Sequence, residues 1–414
     1  MTVRRRVFVL AGVFSIWAVG IENKLVSLQI VGKDDLVARA ERQQSRTIQS
    51  HSRRGEILDR AGRVLAYSVD ADTIYAVPAV IEDAEATASS LCRVLDNCSD
   101  GYRQVIASRL AESRAFAYVQ RQVSPAVARR VFELGLHGIG FLKESRRYYP
   151  NKELAAHLLG YVGTDNQGLS GIESTYDDEI RGRPGKILIQ TDARSAAYSR
   201  VEQLPTNGAT FELTIDKYLQ HIAERELREG IKTHDADGGA VVVLDPRNGE
   251  ILALASEPTF NPNAFRDSVT KARRNRAIQD LYEPGSTFKV VTASAAIEEQ
   301  VIDRDEIFDV SAGAIRVGRD WIRDFSVHGQ LSFVDVLVVS SNVGAIQIGL
   351  RLGPERLTRY VRRFGFGEAL SPDFPSESAG IVSNPTSLTD RHVASLSMGY
   401  NVAVTPLQMA AAVA

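Results

Sequence analysis

Cysteine is nearly absent: there are two in 414 residues, Cys92 and Cys98. Neither has the paired spacing of a thiolate zinc site, and the seven histidines are scattered, so no metal is expected. Charge of one sign is missing too. A formal net charge of −2, with no basic stripe interleaved with aromatics, offers nothing to gather nucleic-acid phosphates. Glycine loops that cradle phosphates are also lacking. Gly365-Phe366-Gly367 has no third glycine, and Gly182-Arg183-Pro184-Gly185-Lys186 has the wrong spacing, so no nucleotide or other cofactor is expected. Long apolar runs are scarce. Val7 to Ile21 is the N-terminal one, and its helix would reach only about 22 Å, short of the roughly 30 Å of bilayer hydrocarbon.

What is present is apolar content (44%) ample for a large core, in a chain long enough for more than one domain. The most informative stretch is Glu283-Pro284-Gly285-Ser286-Thr287-Phe288-Lys289. The apolar, alanine-rich segment after it (290–299) reads as a helix with a polar end. Ser286 then sits at a helix N-terminus with Lys289 on the same face, one turn on. A serine hydroxyl needs a base to become a nucleophile, and a desolvated lysine can be that base. The second element is Ser340-Ser341-Asn342, a polar triplet between apolar runs. Ser340 can relay a proton to a leaving group and Asn342 can hold a substrate backbone. Alone, Ser-x-x-Lys arises by chance in many chains, and the triplet fits a buried cap equally well. Their combination in this order is specific.

These motifs resemble those of the penicillin-binding protein and serine β-lactamase superfamily. Other segments narrow the resemblance to the class B penicillin-binding proteins: Arg54-Gly55-Glu56-Ile57-Leu58-Asp59-Arg60, Arg147-Tyr148-Tyr149-Pro150, Gly168-Leu169-Ser170-Gly171-Ile172-Glu173, Gly239 to Pro246, and Met398-Gly399-Tyr400 with Val404-Thr405-Pro406-Leu407-Gln408. The match runs in order along nearly the whole chain, with a flavour closer to the septal cell-division type than to the elongation type. It implies an α+β protein: an N-terminal membrane helix, an elongated α+β pedestal, and a transpeptidase fold of antiparallel sheet flanked by helices. It also implies a peptidoglycan D,D-transpeptidase in which Ser286, Lys289, Ser340 and Asn342 carry the reaction and β-lactams acylate Ser286. The implied partners are stem peptides, the inner membrane, a lipid-linked glycosyltransferase and other cell-wall synthesis proteins, with no nucleic acid.

One departure stands out. The third family motif, Lys-Thr/Ser-Gly, is absent; Lys232-Thr233 is followed by His234 and precedes the nucleophile. The segment Leu407 to Ala414 carries no cap, glycine or proline. The expectation is a chain that stops before that motif, with the last strands missing. A truncated, inactive scaffold of the division machinery is therefore an alternative, and a serine β-lactamase a more distant one.

The expected organisation is a cytoplasmic tail at 1–6, an anchor at 7–31, a pedestal at 32–205 and an incomplete transpeptidase domain at 206–414. Arg4-Arg5-Arg6 would stay inside, with the rest in the periplasm or outside. A cleaved signal ending near Ala18-Val19-Gly20 competes with the anchor. Residues 33–50 read as a polar, helix-prone stalk. Glu173 to Glu179 reads as a solvated acidic face, and 286–362 as mainly helical. Export would put Cys92 and Cys98 in an oxidising compartment, where a disulfide and two free thiols both remain open.

Overall fold

A computed structural model describes residues 3–31, 33, 45–50, 52–112, 116–191 and 197–414. The chain divides into two compact units: residues 1–53 with 182–207, and residues 54–181 with 208–414.

In the smaller unit the N-terminal segment forms a helix, Val3–Val26, continued by a wider turn, Ser27–Val31. Arg4, Arg5 and Arg6 at one end and Glu22 and Lys24 near the other dilute its apolar run. Among the described residues, no helix is long and apolar enough to cross a membrane. The expected helical stalk is corrected in part. Residues 34–44 lie outside the described residues, but Ser45–Ser50 is a strand, paired antiparallel with Gly185–Thr191, which pairs with Ala197–Gln203. Partners some 140 residues away decide that conformation, against local helical preference.

The first part of the larger unit is built on one long strand, β1 (Val64–Ala76). It pairs antiparallel with β2 (Ala117–Val123) on one side and β3 (Ile139–Tyr148) on the other. The β1–β3 register runs unbroken from Tyr67 opposite Tyr148 to Ala76 opposite Ile139. Helices Ala84–Cys92, Asp100–Ala111 and Pro125–Glu133 cover one face, burying Ile74, Leu91, Ile106, Val119 and Val131. Each starts on a side-chain cap: Asp83 accepts from Ala86 N–H, Ser99 from Tyr102 and Ser124 from Val127. Pro125 at the first turn suits the last of these. The first helix ends at Cys92, so Cys92 and Cys98 come within a Cα separation of 5.2 Å and form a disulfide.

The second part begins with α1 (Lys217–His234), followed by an antiparallel pair, β4 (Gly239–Leu244) and β5 (Ile251–Glu257). The turn between the strands closes at Gly249, whose φ of 76° suits glycine. Ala223 and Leu227 of α1 pack on Val241, Val243, Ala253 and Ala255 of the strands. Leu254 packs instead with Ala277, Ile278 and Leu407. The main core surrounds α2 (Lys289–Glu298), whose Val291, Ala295 and Ala296 are fully buried.

The segment 286–362 is mainly helical, as expected, but short strands interrupt it. Between its helices lie Ile307–Asp309 paired with Gln330–Ser332, and a hairpin of β6 (Ala314–Val317) and β7 (Asp320–Arg323). Then come α3 (Phe333–Val338) and α4 (Asn342–Arg363), the latter broken at Gly353 before Pro354. The chain continues through α5 (Asp390–Ser397) and α6 (Pro406–Val413).

The acidic face is the other correction. Asp178 and Glu179 are exposed, but Glu173 is fully buried between Arg54 and Arg147. Arg54 also reaches Asp177, at 2.5 Å.

Candidate active site

The turn Gly285–Phe288 is a 3-10 helix leading directly into α2. Three residues per turn stack Ser286 and Lys289 along one edge, and the Lys289 amide donates to the Ser286 carbonyl. This turn is pressed against the segment after α5. The Gly285 amide donates to Gly399 O at 3.0 Å, and a Cβ on Gly399 would fall 2.1 Å from the Gly285 carbonyl oxygen. Glu283 completes the seam by accepting from the Asn401 amide at 2.8 Å. Ser286 is left exposed, while Lys289 is only 3% exposed.

The Lys289 ammonium has three donors and finds three acceptors: Ser340 O at 2.6 Å, Ser340 Oγ at 3.1 Å and Asn342 Oδ1 at 2.9 Å. None is a carboxylate. Burial therefore lowers its pKa from the ordinary lysine value to about 8, against the opposing pull of the Asp324 charge. Three of the four expected residues are thus joined. Among the described residues, no hydrogen bond joins Ser286 Oγ to Lys289; the two share a turn but not a bond.

Ser340 owes its place to the end of α3. The Ser341 amide bonds back to Val336 O at 2.9 Å and the Ser340 amide to Leu337 O at 3.1 Å, a Schellman closure. Such a closure needs a left-handed residue, usually glycine, and here Ser340 fills it with φ of 58°. Ser341 then caps α4, accepting from the Gly344 amide at 3.0 Å. The Asn342 amide is oriented by its other end, since Nδ2 donates to Arg323 O at 3.1 Å and so leaves Oδ1 to Lys289.

Sequence reading missed Asp324, which follows β7. Its carboxylate accepts from Ser341 Oγ at 2.7 Å, the Val343 amide at 3.0 Å and the Asn342 amide. No local pattern marks it, because the contacts form across 17 to 19 residues. The arrangement is an exposed hydroxyl beside a buried, readily neutralised amine whose neighbours are fixed from behind. That suits nucleophilic acyl transfer.

Comparisons with known proteins identify the family. Residues 239–414 match the penicillin-binding protein transpeptidase domain, and residues 49–213 the penicillin-binding protein dimerisation domain. Stage V sporulation protein D of Bacillus subtilis is 33% identical over 100% of this chain and 65% of its own length. Peptidoglycan D,D-transpeptidase FtsI of Escherichia coli is 33% identical over 94% of this chain and 66% of its own length. Probable peptidoglycan D,D-transpeptidase PenA of Neisseria meningitidis is 31% identical, over 98% of this chain and 70% of the relative. A peptidoglycan synthetase from Bifidobacterium adolescentis superposes with TM-score 0.67 and 27% identity, over 89% of this chain and 72% of that one. In a complex with MreC, penicillin-binding protein 2 of Helicobacter pylori shares the fold, with TM-score 0.75 and 24% identity over 88% and 76% of the two chains. The chain belongs to the class B penicillin-binding proteins. It spans 65% and 66% of the lengths of the first two relatives named.

Proposed function

We propose that this protein is a serine D,D-transpeptidase that cross-links peptidoglycan stem peptides. The observation that carries the reading is the buried Lys289, held by Ser340 and Asn342 one turn beyond the exposed Ser286. Neutral Lys289 takes the Ser286 proton as Oγ attacks the carbonyl between two D-alanines. The Ser286 amide forms half of the oxyanion hole. As the tetrahedral intermediate collapses, the C–N bond breaks and Ser340 passes the proton from Lys289 to the departing D-alanine amine. Asn342 orients the donor peptide. An amine of a second stem peptide then attacks the Ser286 ester, giving the cross-link and restoring the hydroxyl.

The reading extends to site and setting. Leu10, Val13, Phe14, Ile16 and Trp17 are exposed along the N-terminal helix, which supports a single-pass anchor in the inner membrane, with residues 1–6 inside and the catalytic part outside. The resemblance of the sequence to the septal type supports a division role. The MreC complex of the H. pylori protein supports partners in the wall-synthesis machinery, and the family resemblance adds a lipid-linked glycosyltransferase.

Fluorescent-penicillin labelling of membranes containing the chain, with Ser286→Ala as control, tests the assignment. We expect Ser286-dependent labelling whose rate rises with pH through about 8, as Lys289 loses its proton. Labelling that survives Ser286→Ala, or none from folded protein, would sink it.

A further inference from the structure

The helix α4 already has a local cap in Ser341, yet a carboxylate from a separate hairpin is also aimed at its first turn. Capping alone does not call for both. Ser341 Oγ accepts from the Gly344 amide and donates to Asp324, so the cap is itself anchored to the hairpin. The preceding residue, Arg323, uses its carbonyl to fix the Asn342 amide. One dipeptide therefore holds both the backbone of the triplet and the side chain that faces Lys289.

We propose that Asp324 is a positioning residue for the reaction: its carboxylate pins the 340–342 turn to the β6–β7 hairpin and places a fixed negative charge behind Lys289. This rests on the transpeptidase reading above.

The charge argument follows from the surroundings of Lys289. Its direct acceptors, from the turn after α3 and the start of α4, are neutral. On α2 the first carboxylates are Glu298 and Glu299, at the far end. Asp335 of α3 bonds to Ser332, and Asp320 of β7 pairs with Arg391 of α5 at 3.0 Å. Among the described residues, Asp324 carries the one charge that acts on Lys289, and it favours the ammonium where burial favours the amine. Burial alone would leave a lysine that is easily deprotonated but a weak base. The carboxylate restores part of its basicity, which is what a proton acceptor working near neutral pH requires.

The test is a titration of Lys289 by NMR on 13Cε-lysine-labelled protein, with Lys289→Met to assign the resonance. Removing the negative charge destabilises the ammonium, so in Asp324→Asn and Asp324→Ser the midpoint should fall by about half a pH unit or more. Asp324→Glu should restore it toward the parent value. The acid limb of Ser286-dependent penicillin labelling should move with it. A loss of positioning alone would slow labelling without moving either midpoint. Ser341→Ala, which removes a tie but no charge, should do just that, and a moved midpoint there would count against the proposal. Unchanged midpoints in folded Asp324→Asn and Asp324→Ser would overturn it while leaving Ser286-dependent labelling, and the transpeptidase reading, intact. A moved midpoint in protein that never labels would do the reverse.

Discussion

Arg54 and Lys289 are both withdrawn from solvent, with 0% side-chain exposure for the first and 3% residue exposure for the second, but their partners differ in kind. Arg54 places Nε and Nη2 on Glu173 Oε2 at 3.0 and 2.7 Å, and Nη1 on Asp177 at 2.5 Å. Its remaining bonds go to the carbonyls of Asn166 and Glu173. Glu173 is shared with Arg147 and with the Tyr149 hydroxyl, at 3.3 Å. Lys289 makes three bonds, and meets only a carbonyl, a hydroxyl and an amide. Opposite charges in contact offset the desolvation of a buried cation. Neutral acceptors compensate the hydrogen bonds but not the desolvation, so the amine gives up its proton at about pH 8. One cluster balances charge against charge, and the other leaves a buried amine free to give up a proton.

The largest expected effect lies in the paired cluster. Glu173→Gln would leave the buried Arg147 guanidinium without a carboxylate and Arg54 with Asp177 alone. Breaking a buried pair in this way costs about 3–5 kcal/mol. Denaturant melts should show that loss, while labelling per folded molecule stays near parental because the residue touches no part of the active site. A melt like the parent's would mean that the cluster does not hold the first part of the unit in place.

The opposite response is expected at Lys289. In the folded chain its proton leaves at about pH 8, whereas in the unfolded chain it leaves near the ordinary lysine value of 10.5. Between those values the unfolded state binds more protons, so the parent gains stability as pH rises from about 8 toward 10.5. Below that window the folded state carries the full cost of the buried charge. Lys289→Met removes the cost, so its melting temperature should exceed the parent's most at pH 7 and converge with it near pH 10.5. Acylation should fall by at least about a hundredfold, in line with the loss of a general base. A variant less stable than the parent at pH 7 would show that the three hydrogen bonds outweigh desolvation, and the contrast with Arg54 would collapse.

The two regions also differ in how far the sequence revealed them. Ser286 and Lys289 share one turn, and Ser340 and Asn342 share another, so short spacings exposed all four. The start of helix Pro125–Glu133 is likewise marked locally, by its adjacent cap Ser124. The partner of Glu173 is not adjacent: Arg54 lies 119 residues away, so an acidic run there looks solvated until the fold buries it. Strand Ser45–Ser50 depends on a partner strand equally remote. The hairpins between 307 and 332 were masked by the apolar helices on either side, although Gly313 and Gly318 both take positive φ at their turns. Asp324 was hidden because its value lies in three donors brought to it by another element. Local chemistry is legible where the ligands are near in sequence, and the support behind it is not.

The smallest effect sharpens the contrast within the active site, and it concerns Ser340. At φ of 58° a serine occupies a position that glycine fills without strain. Lys289 bonds to both its carbonyl and its hydroxyl, and only the second depends on the side chain. Ser340→Gly should therefore relieve backbone strain and keep the 2.6 Å carbonyl bond and the Asn342 bond that hold the amine. The relay hydroxyl alone would be lost. Stability should rise by about 0.5–1 kcal/mol, since relief of the left-handed strain outweighs the extra freedom glycine gives the unfolded chain. Penicillin labelling should slow by about a hundredfold. Ser340→Ala separates the two contributions, because it loses the hydroxyl but keeps the strained conformation: labelling should fall as far, without the gain in stability. Thermal melts beside labelling rates would decide. If glycine proves no more stable than serine, the left-handed backbone is not a cost carried for catalysis, and Ser340 would be an ordinary helix end that happens to lie beside the base.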